Sequence, residues 1–207
     1  MESNSPTNKL EYIEGKKTVL FPFVMADMSF FIQLCRENTD KIFIIEVKKL
    51  TDDQLSEAII KMIQNNLLGI WTVVTKQGKG TRKMGFIYIT GYLGWKLTVH
   101  GLLSKQFLKD IAMELVERYT YTEDSYRAFL SHCFNGAGLE RVEAFILRDN
   151  RPAIAINRKL GFEIEGILKK MTKVGTEYKD VMAMAIFRDD YNKRNSLPTG
   201  KQLAEVK

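Results

Sequence analysis

The order of elements in this 207-residue sequence predicts a mixed α+β domain whose sheet is mostly antiparallel. Two stretches carry that expectation. Residues 68–75 (LGIWTVVT) and 83–90 (KMGFIYIT) are β-branched and aromatic runs around a short Gly- and Lys-rich loop, the pattern of a hairpin. In the last third, residues 141–147 (RVEAFIL) alternate as a half-buried strand, and a short helix and two further strands follow almost without gaps.

Taken in order, residues 1–16 are expected as a flexible N-terminal segment, residues 17–188 as one domain, and residues 189–207 as a polar tail. Residues 17–24 (KTVLFPFV) predict a strand that Pro22 confines to an edge or a bulge. A helix follows over 26–38. Residues 41–50 (KIFIIEVKKL) are strand-like by propensity. Thr51 with Gln54 three residues on is a capping box, and Leu55, Ile59, Met62 and Ile63 fall on one helical face. The basic loop 76–82 contains Gly78-Lys79-Gly80, yet it leads into a strand and not a helix, so it reads as a solvated hairpin turn and not a phosphate cradle.

Residues 95–100 (WKLTVH) alternate as a fourth strand, and 103–119 form an amphipathic helix with Ser104 as its cap. Thr122 signals a second cap, so a break near Thr120-Tyr121-Thr122 and a separate helix over 123–135 are expected. Asn150, Pro152 and Gly161 mark the cap, first turn and end of a helix over 152–160. Strands are expected over 162–168 and 179–187, with Lys169, Lys170 and Lys173 in the connecting turn.

Composition narrows the function classes. A net charge of +6 favours anionic partners, but the basic residues are spread along the chain without a stripe of stacking aromatics, which argues against direct nucleic-acid binding. Only Cys35 and Cys133 occur, and no membrane-length apolar run or signal region is evident, so a reducing, cytoplasmic setting without membrane attachment is expected. His132 and Cys133 lack further ligands at metal spacing, so no metal site is expected. Cys133, flanked by apolar residues, reads as a core thiol.

The run RVEAFILRDNRPAIAINRKLGFEIEGIL over 141–168, followed by DVMAMAI over 180–186, resembles the C-terminal half of the GNAT superfamily of acyl-CoA-dependent N-acetyltransferases. Within it the pattern is most similar to the branch of the ribosomal-protein alanine acetyltransferases. The resemblance rests on Asn150, the small residue Ala153, Gly161-Phe162 and Glu165-Gly166 at the family's spacing. It implies helices on both faces of the sheet and a V-shaped cleft between the fourth and fifth strands. It also implies acetyl-CoA as co-substrate, and a protein or small-molecule amine as acceptor.

In that family the fourth strand holds pantetheine, amides at the next helix N-terminus bind pyrophosphate, and a tyrosine after the Asn commonly protonates the leaving thiolate. Carried over, this makes Val99, Ser104, Lys105, Gln106 and Asn150 the candidate cofactor-binding residues. Two positions depart. The segment VHGLLSKQF over 99–107 has one glycine where the family spaces two, and Asn157 stands at the tyrosine position. Tyr178 or Tyr126 would have to reach the site from elsewhere. His100, with an unperturbed pKa of about 6.5, is the candidate general base; a strand-end His is also commonly a hydrogen-bonded structural residue. Ser104 carries the same pair of readings, cap or functional hydroxyl.

The departures support a second reading of a different class, a GNAT-fold protein without catalysis that serves as a binding or assembly component. Such a chain would be similar to phage-encoded GNAT-like proteins and, if phage-encoded, would be virion-associated.

Overall fold

The computed structural model describes residues 10–39, 47–76, 82–110 and 115–196. Eight strands form one sheet in the order β1-β2-β3-β4-β5-β6-β8-β7. They are β1 (Ile13–Glu14), β2 (Thr18–Pro22), β3 (Gly69–Thr75), β4 (Lys83–Thr90), β5 (Lys96–Leu103), β6 (Arg141–Leu147), β7 (Glu163–Val174) and β8 (Glu177–Phe187). Six described helices accompany them: α1 (Met28–Glu37), α2 (Asp52–Gln64), α3 (Lys105–Asp110), α4 (Leu115–Ser131), α5 (Arg151–Leu160) and α6 (Arg188–Ser196). Every neighbouring strand pair is antiparallel except β5 and β6, which run parallel.

β3 is buried on both faces and β4 nearly so, because helices cover each side. Alternate residues therefore serve different cores. Ile70, Phe86, Tyr88 and Leu102 pack with Phe31, Leu34, Leu55 and Ile59 of α1 and α2, and Phe31 meets Phe86 edge-on with ring centroids 4.9 Å apart. Trp71, Val73, Ile87, Ile89 and Val99 pack on the other face with Phe129 and Leu130 of α4 and Ile154, Ile156 and Leu160 of α5.

Local signals fix several ends. Thr51 and Gln54 form the capping box of α2. Asn150 caps α5, and Gly161 ends it at φ 105°, a left-handed conformation that glycine adopts without steric cost. Pro22 is the last residue of β2, beyond the two positions that β1 pairs, so its missing N–H disrupts no ladder.

Other expectations are corrected. α1 begins at Met28 after a 3-10 turn over Met25–Asp27. Of the strand-like stretch 41–50, residues 47–50 are turn, and 41–46 lie outside the described residues, as do 77–81 of the hairpin loop. No break occurs at Thr120-Tyr121-Thr122: α4 runs through it, with the Ser125 hydroxyl donating back to the Thr122 carbonyl at 2.9 Å. The helix then closes in a π-helical turn, His132–Gly136. β7 extends to Val174 and takes in Lys169, Lys170 and Lys173, which stand on a solvated edge strand and not in a turn. α6, Arg188–Ser196, runs from the end of the expected domain into the stretch 189–207 expected as a polar tail, and its one ring, Tyr191, packs on Phe134 at 5.0 Å.

The parallel pairing of β5 with β6 covers only Lys96↔Arg141, Leu97↔Val142 and Thr98↔Glu143. Beyond Thr98 the two strands separate. Their joined end is held by charge: Lys96 Nζ donates to Glu143 at 3.0 and 3.2 Å, Arg141 Nε donates to Glu143 at 2.8 Å, and Arg141 forks onto Glu165 of β7. Burial pulls the Glu143 pKa up, but the hydrogen bonds from Arg141 and Lys96 outweigh it and hold the carboxyl below the usual range. Replacing Glu143 with alanine leaves two partly buried cations short of a partner, at an expected cost of about 2 kcal/mol. Denaturant unfolding at neutral pH checks this, and unchanged stability would make the network a mere surface pairing.

Candidate active site

The open part of the V lies between Val99–Leu103 of β5 and Ala144–Leu147 of β6. Each strand keeps its outer neighbour, β4 or β8, but neither has a strand partner on the side facing the other. Two backbone edges thus face each other across a gap, each with N–H and C=O groups to satisfy. This is the cleft expected between the fourth and fifth strands; the added short strand β1 makes them β5 and β6 here.

Two cavities meet in the gap. One, about 110 Å³, reaches Tyr88, His100 and Leu102 on the α1/α2 side. The other, about 400 Å³, lies between β4, β5, α4 and α5 and reaches Lys105, Ser125 and Pro152. Asn38, Gly101, Tyr126, Asn150, Ala153 and Asn157 line both and form the throat between them.

Tyr126 reaches the throat from α4. A Cβ built on Gly101 would lie 2.2 Å from the Tyr126 hydroxyl oxygen, so only glycine at this point of β5 lets the phenol approach. The surrounding helix is tethered on both sides. Asp124 accepts from the backbone N–H groups of Lys16, Lys17 and Thr18, each at 2.9 Å, and Glu123 pairs with Lys159 of α5 at 2.5 Å. Tyr178, the other tyrosine considered from sequence, is on β8, well exposed and beside Lys173.

Asn157 faces Tyr126 from α5. Its Nδ2 donates to the Ala153 carbonyl at 2.8 Å, which leaves Oδ1 to find another donor. The residue is 5% exposed, and among the described residues that oxygen has no hydrogen-bond partner. A buried acceptor without a donor is costly, so an unpaired Oδ1 lining a cavity marks a place where a ligand donor fits.

His100 stacks on Tyr88, its cross-strand partner, with ring centroids 4.7 Å apart and 8° between planes. Its Nε2 shares a hydrogen bond of 3.0 Å with Thr90 Oγ1. An unperturbed imidazole is the expectation from sequence; burial instead lowers the His100 pKa to about 4, because the charged form loses water without gaining a carboxylate. The ring is therefore neutral at physiological pH, able to accept a proton but a weaker base than the unperturbed value implies.

The remaining candidates divide. Val99 is buried in β5 and lines the smaller cavity, and Asn150 lines both while its Oδ1 accepts from Ala153 N at 3.4 Å. Ser104 is a buried cap: its hydroxyl accepts from Phe107 N at 3.1 Å. The Lys105 ammonium, expected as a point charge for phosphate, donates to the Glu37 carbonyl at 2.6 Å, and the Lys105 N–H donates to the Glu37 carboxylate at 3.3 Å. An anion arriving there competes with that carboxylate. Gln106 lies apart from the throat, in a groove of about 600 Å³ with Arg82 and Lys83. Both thiols are core groups, with burial pushing Cys35 up to about 12 and Cys133 upward too.

Residues missed from sequence were Gly101 as the phenol's neighbour and Asn38, at the end of α1. For Gly101 a signal existed, since an isolated glycine in a strand pattern often marks a close approach.

A mixed sheet, splayed at one parallel pair and flanked by helices on both faces, defines the class of fold seen in acetyltransferases of the GNAT type. Residues 18–163 match the acetyltransferase (GNAT) domain family, and the chain belongs to it. It is similar to the L-amino acid N-acetyltransferase AaaT of Escherichia coli (strain K12), at 41% identity over 59 residues. That match spans 28% of this chain and 36% of the relative, about a third of the relative's length. Among solved structures, mutant forms of the spermidine/spermine N-acetyltransferase SpeG from Vibrio cholerae superpose with TM-score 0.68 at 19% identity, covering 86% of this chain and 98% of theirs. Spermidine N-acetyltransferase from the same organism in complex with CoA and spermine gives TM-score 0.67 at 18% identity over 84% and 98% of the two chains. At these identities the structural likeness establishes the fold.

Proposed function

We propose that this protein transfers an acyl group from an acyl-CoA, with acetyl-CoA the expected donor, to the nitrogen of an amine carried by a small molecule or a protein. The observation that carries this reading is the pair of unpaired strand edges facing each other across the V and leading to a throat open to two cavities. An extended arm bearing amides satisfies such edges as an added strand would. The arm of an acyl-CoA has that chemistry, and the cavity beside α4 and α5 gives it room. The smaller cavity, on the His100 side, then receives the amine.

Aminolysis of a thioester requires little covalent participation: a neutral amine held against the carbonyl, a stabilised oxyanion and a protonated leaving group. In this reading Asn150 and Val99 shape the arm's path, and neutral His100 accepts the proton that the attacking nitrogen sheds. Ser104, Lys105 and Gln106 remain the candidates nearest the phosphate end.

Thiol release from acetyl-CoA, measured against L-amino acids, spermidine and a peptide with a free N-terminus, tests the function. The first two acceptors enter because the similar proteins bear those names. Acceptor-dependent release of CoA with mass-verified acylated product is the expected result. No release with any acceptor would return the chain to the binding-protein reading.

A further inference from the structure

The reaction proposed above leaves a thiolate that needs a proton, and Asn157, an amide, cannot supply a titratable one. One of its two amide N–H bonds is already given to the Ala153 carbonyl. Across the throat, Tyr126 places a phenol against Gly101 and lines both cavities. Two complementary groups therefore face one junction: a phenol O–H that can donate and the unpartnered Asn157 Oδ1 that can only accept.

We propose that Tyr126, supplied by α4, is the proton donor to the leaving thiolate, and that Asn157 Oδ1 holds the acyl-carrying arm by accepting a hydrogen bond from one of its amide N–H groups. The inference rests on the acyl-transfer reading. As the amine nitrogen bonds to the thioester carbonyl carbon, the C–S bond breaks and its electron pair stays on sulfur. Sulfur takes the Tyr126 proton. The attacking nitrogen gives up one proton to His100 or solvent, and solvent returns one to the phenolate, so the net transfer is from amine to thiol. Burial pushes the phenol's pKa up, so the group is protonated at neutral pH before the reaction begins.

The placement has a physical basis in the chain. Asp124 and Glu123 fasten the first half of the described α4 to the β1–β2 turn and to α5, so the ring two residues later is held in position. Glycine at 101 removes the side chain that would otherwise fill the same space.

Steady-state kinetics of Tyr126→Phe, with the best acceptor from the panel above, test the assignment. The expected result is a kcat lower by on the order of a hundredfold with KM for acetyl-CoA changed less than about threefold. With S-acetyl-4-nitrothiophenol, whose thiolate departs without a proton, the variant should match the native protein. Tyr126→His, which restores a donor, should recover part of the lost rate, and it keeps the test open should the phenylalanine variant fail to fold. Asn157→Leu should weaken acetyl-CoA binding several-fold while kcat at saturation holds. Equal losses toward both thioesters, or no loss toward either, would overturn the role of Tyr126 while native turnover persists. A native protein that turns over no acceptor would remove the acyl-transfer reading itself, and this inference with it.

Discussion

Gly101→Ala is expected to lower turnover by about a hundredfold while leaving the protein folded. An added Cβ would stand 2.2 Å from the Tyr126 hydroxyl oxygen, closer than real Cβ contacts come, so one of the two must move. β5 is held against β4, with Gly101 paired to Ile87, and α4 is tethered through Asp124. The phenol at the free end of its side chain is the part able to give way, and it tilts out of the throat. A misplacement of about 1 Å at the reacting centre is enough for a loss of that size. Steady-state kinetics and a thermal melt of the variant check both halves of the statement. Full turnover would show that the chemistry takes place elsewhere.

Acid should destabilise the protein through His100. The imidazole titrates at 6.5 when exposed and at about 4 in the fold. Between those values the unfolded chain binds a proton that the folded chain refuses, so protons favour unfolding. The contribution is fully present above 6.5, is lost as pH falls toward 4, and is constant below. At about 1.4 kcal/mol per pH unit the loss reaches up to about 3 kcal/mol. His100→Gln, which has an amide to face Thr90 and no titration in this range, should show a shallower decline over that interval. Urea unfolding of both proteins at several pH values measures it. Parallel curves would mean that His100 is solvated in the folded state.

How far the sequence revealed this molecule depended on whether the deciding interactions were local. α5 was legible because its cap, its early proline and its closing glycine lie within twelve residues of one another. α2 was legible through its capping box. The continuity of α4 across Thr120-Tyr121-Thr122 was not, because cap-forming residues there are overruled by packing of the helix against the sheet: Tyr121 and Ser125 are both buried. β7 outran its expected end because its lysines stand on a solvated edge, where charge does not oppose a strand.

The site followed the same division. Asn150 came from a motif with fixed spacing, Val99 from its place on the strand that the resemblance assigns to the cofactor, and His100 from its residue type at that strand's end; all three line the smaller cavity. Lys105 was read as a phosphate ligand because its Glu37 partner is distant in sequence. Tyr126 could be named from sequence only as one of two tyrosines, since its approach to Gly101 depends on how α4 crosses the sheet. The depressed titration of His100 likewise depends on what surrounds it, which no local pattern records.

The central claim is that the splay between β5 and β6 receives an acyl-CoA. Calorimetric titration of the protein with acetyl-CoA and, separately, with CoA, at low and moderate salt, tests it most directly. The account predicts saturable binding in the micromolar range that survives moderate salt, because amide and apolar contacts in the cleft, and not charge alone, hold the ligand. No binding at millimolar ligand would contradict it and leave a GNAT fold whose cleft serves another purpose.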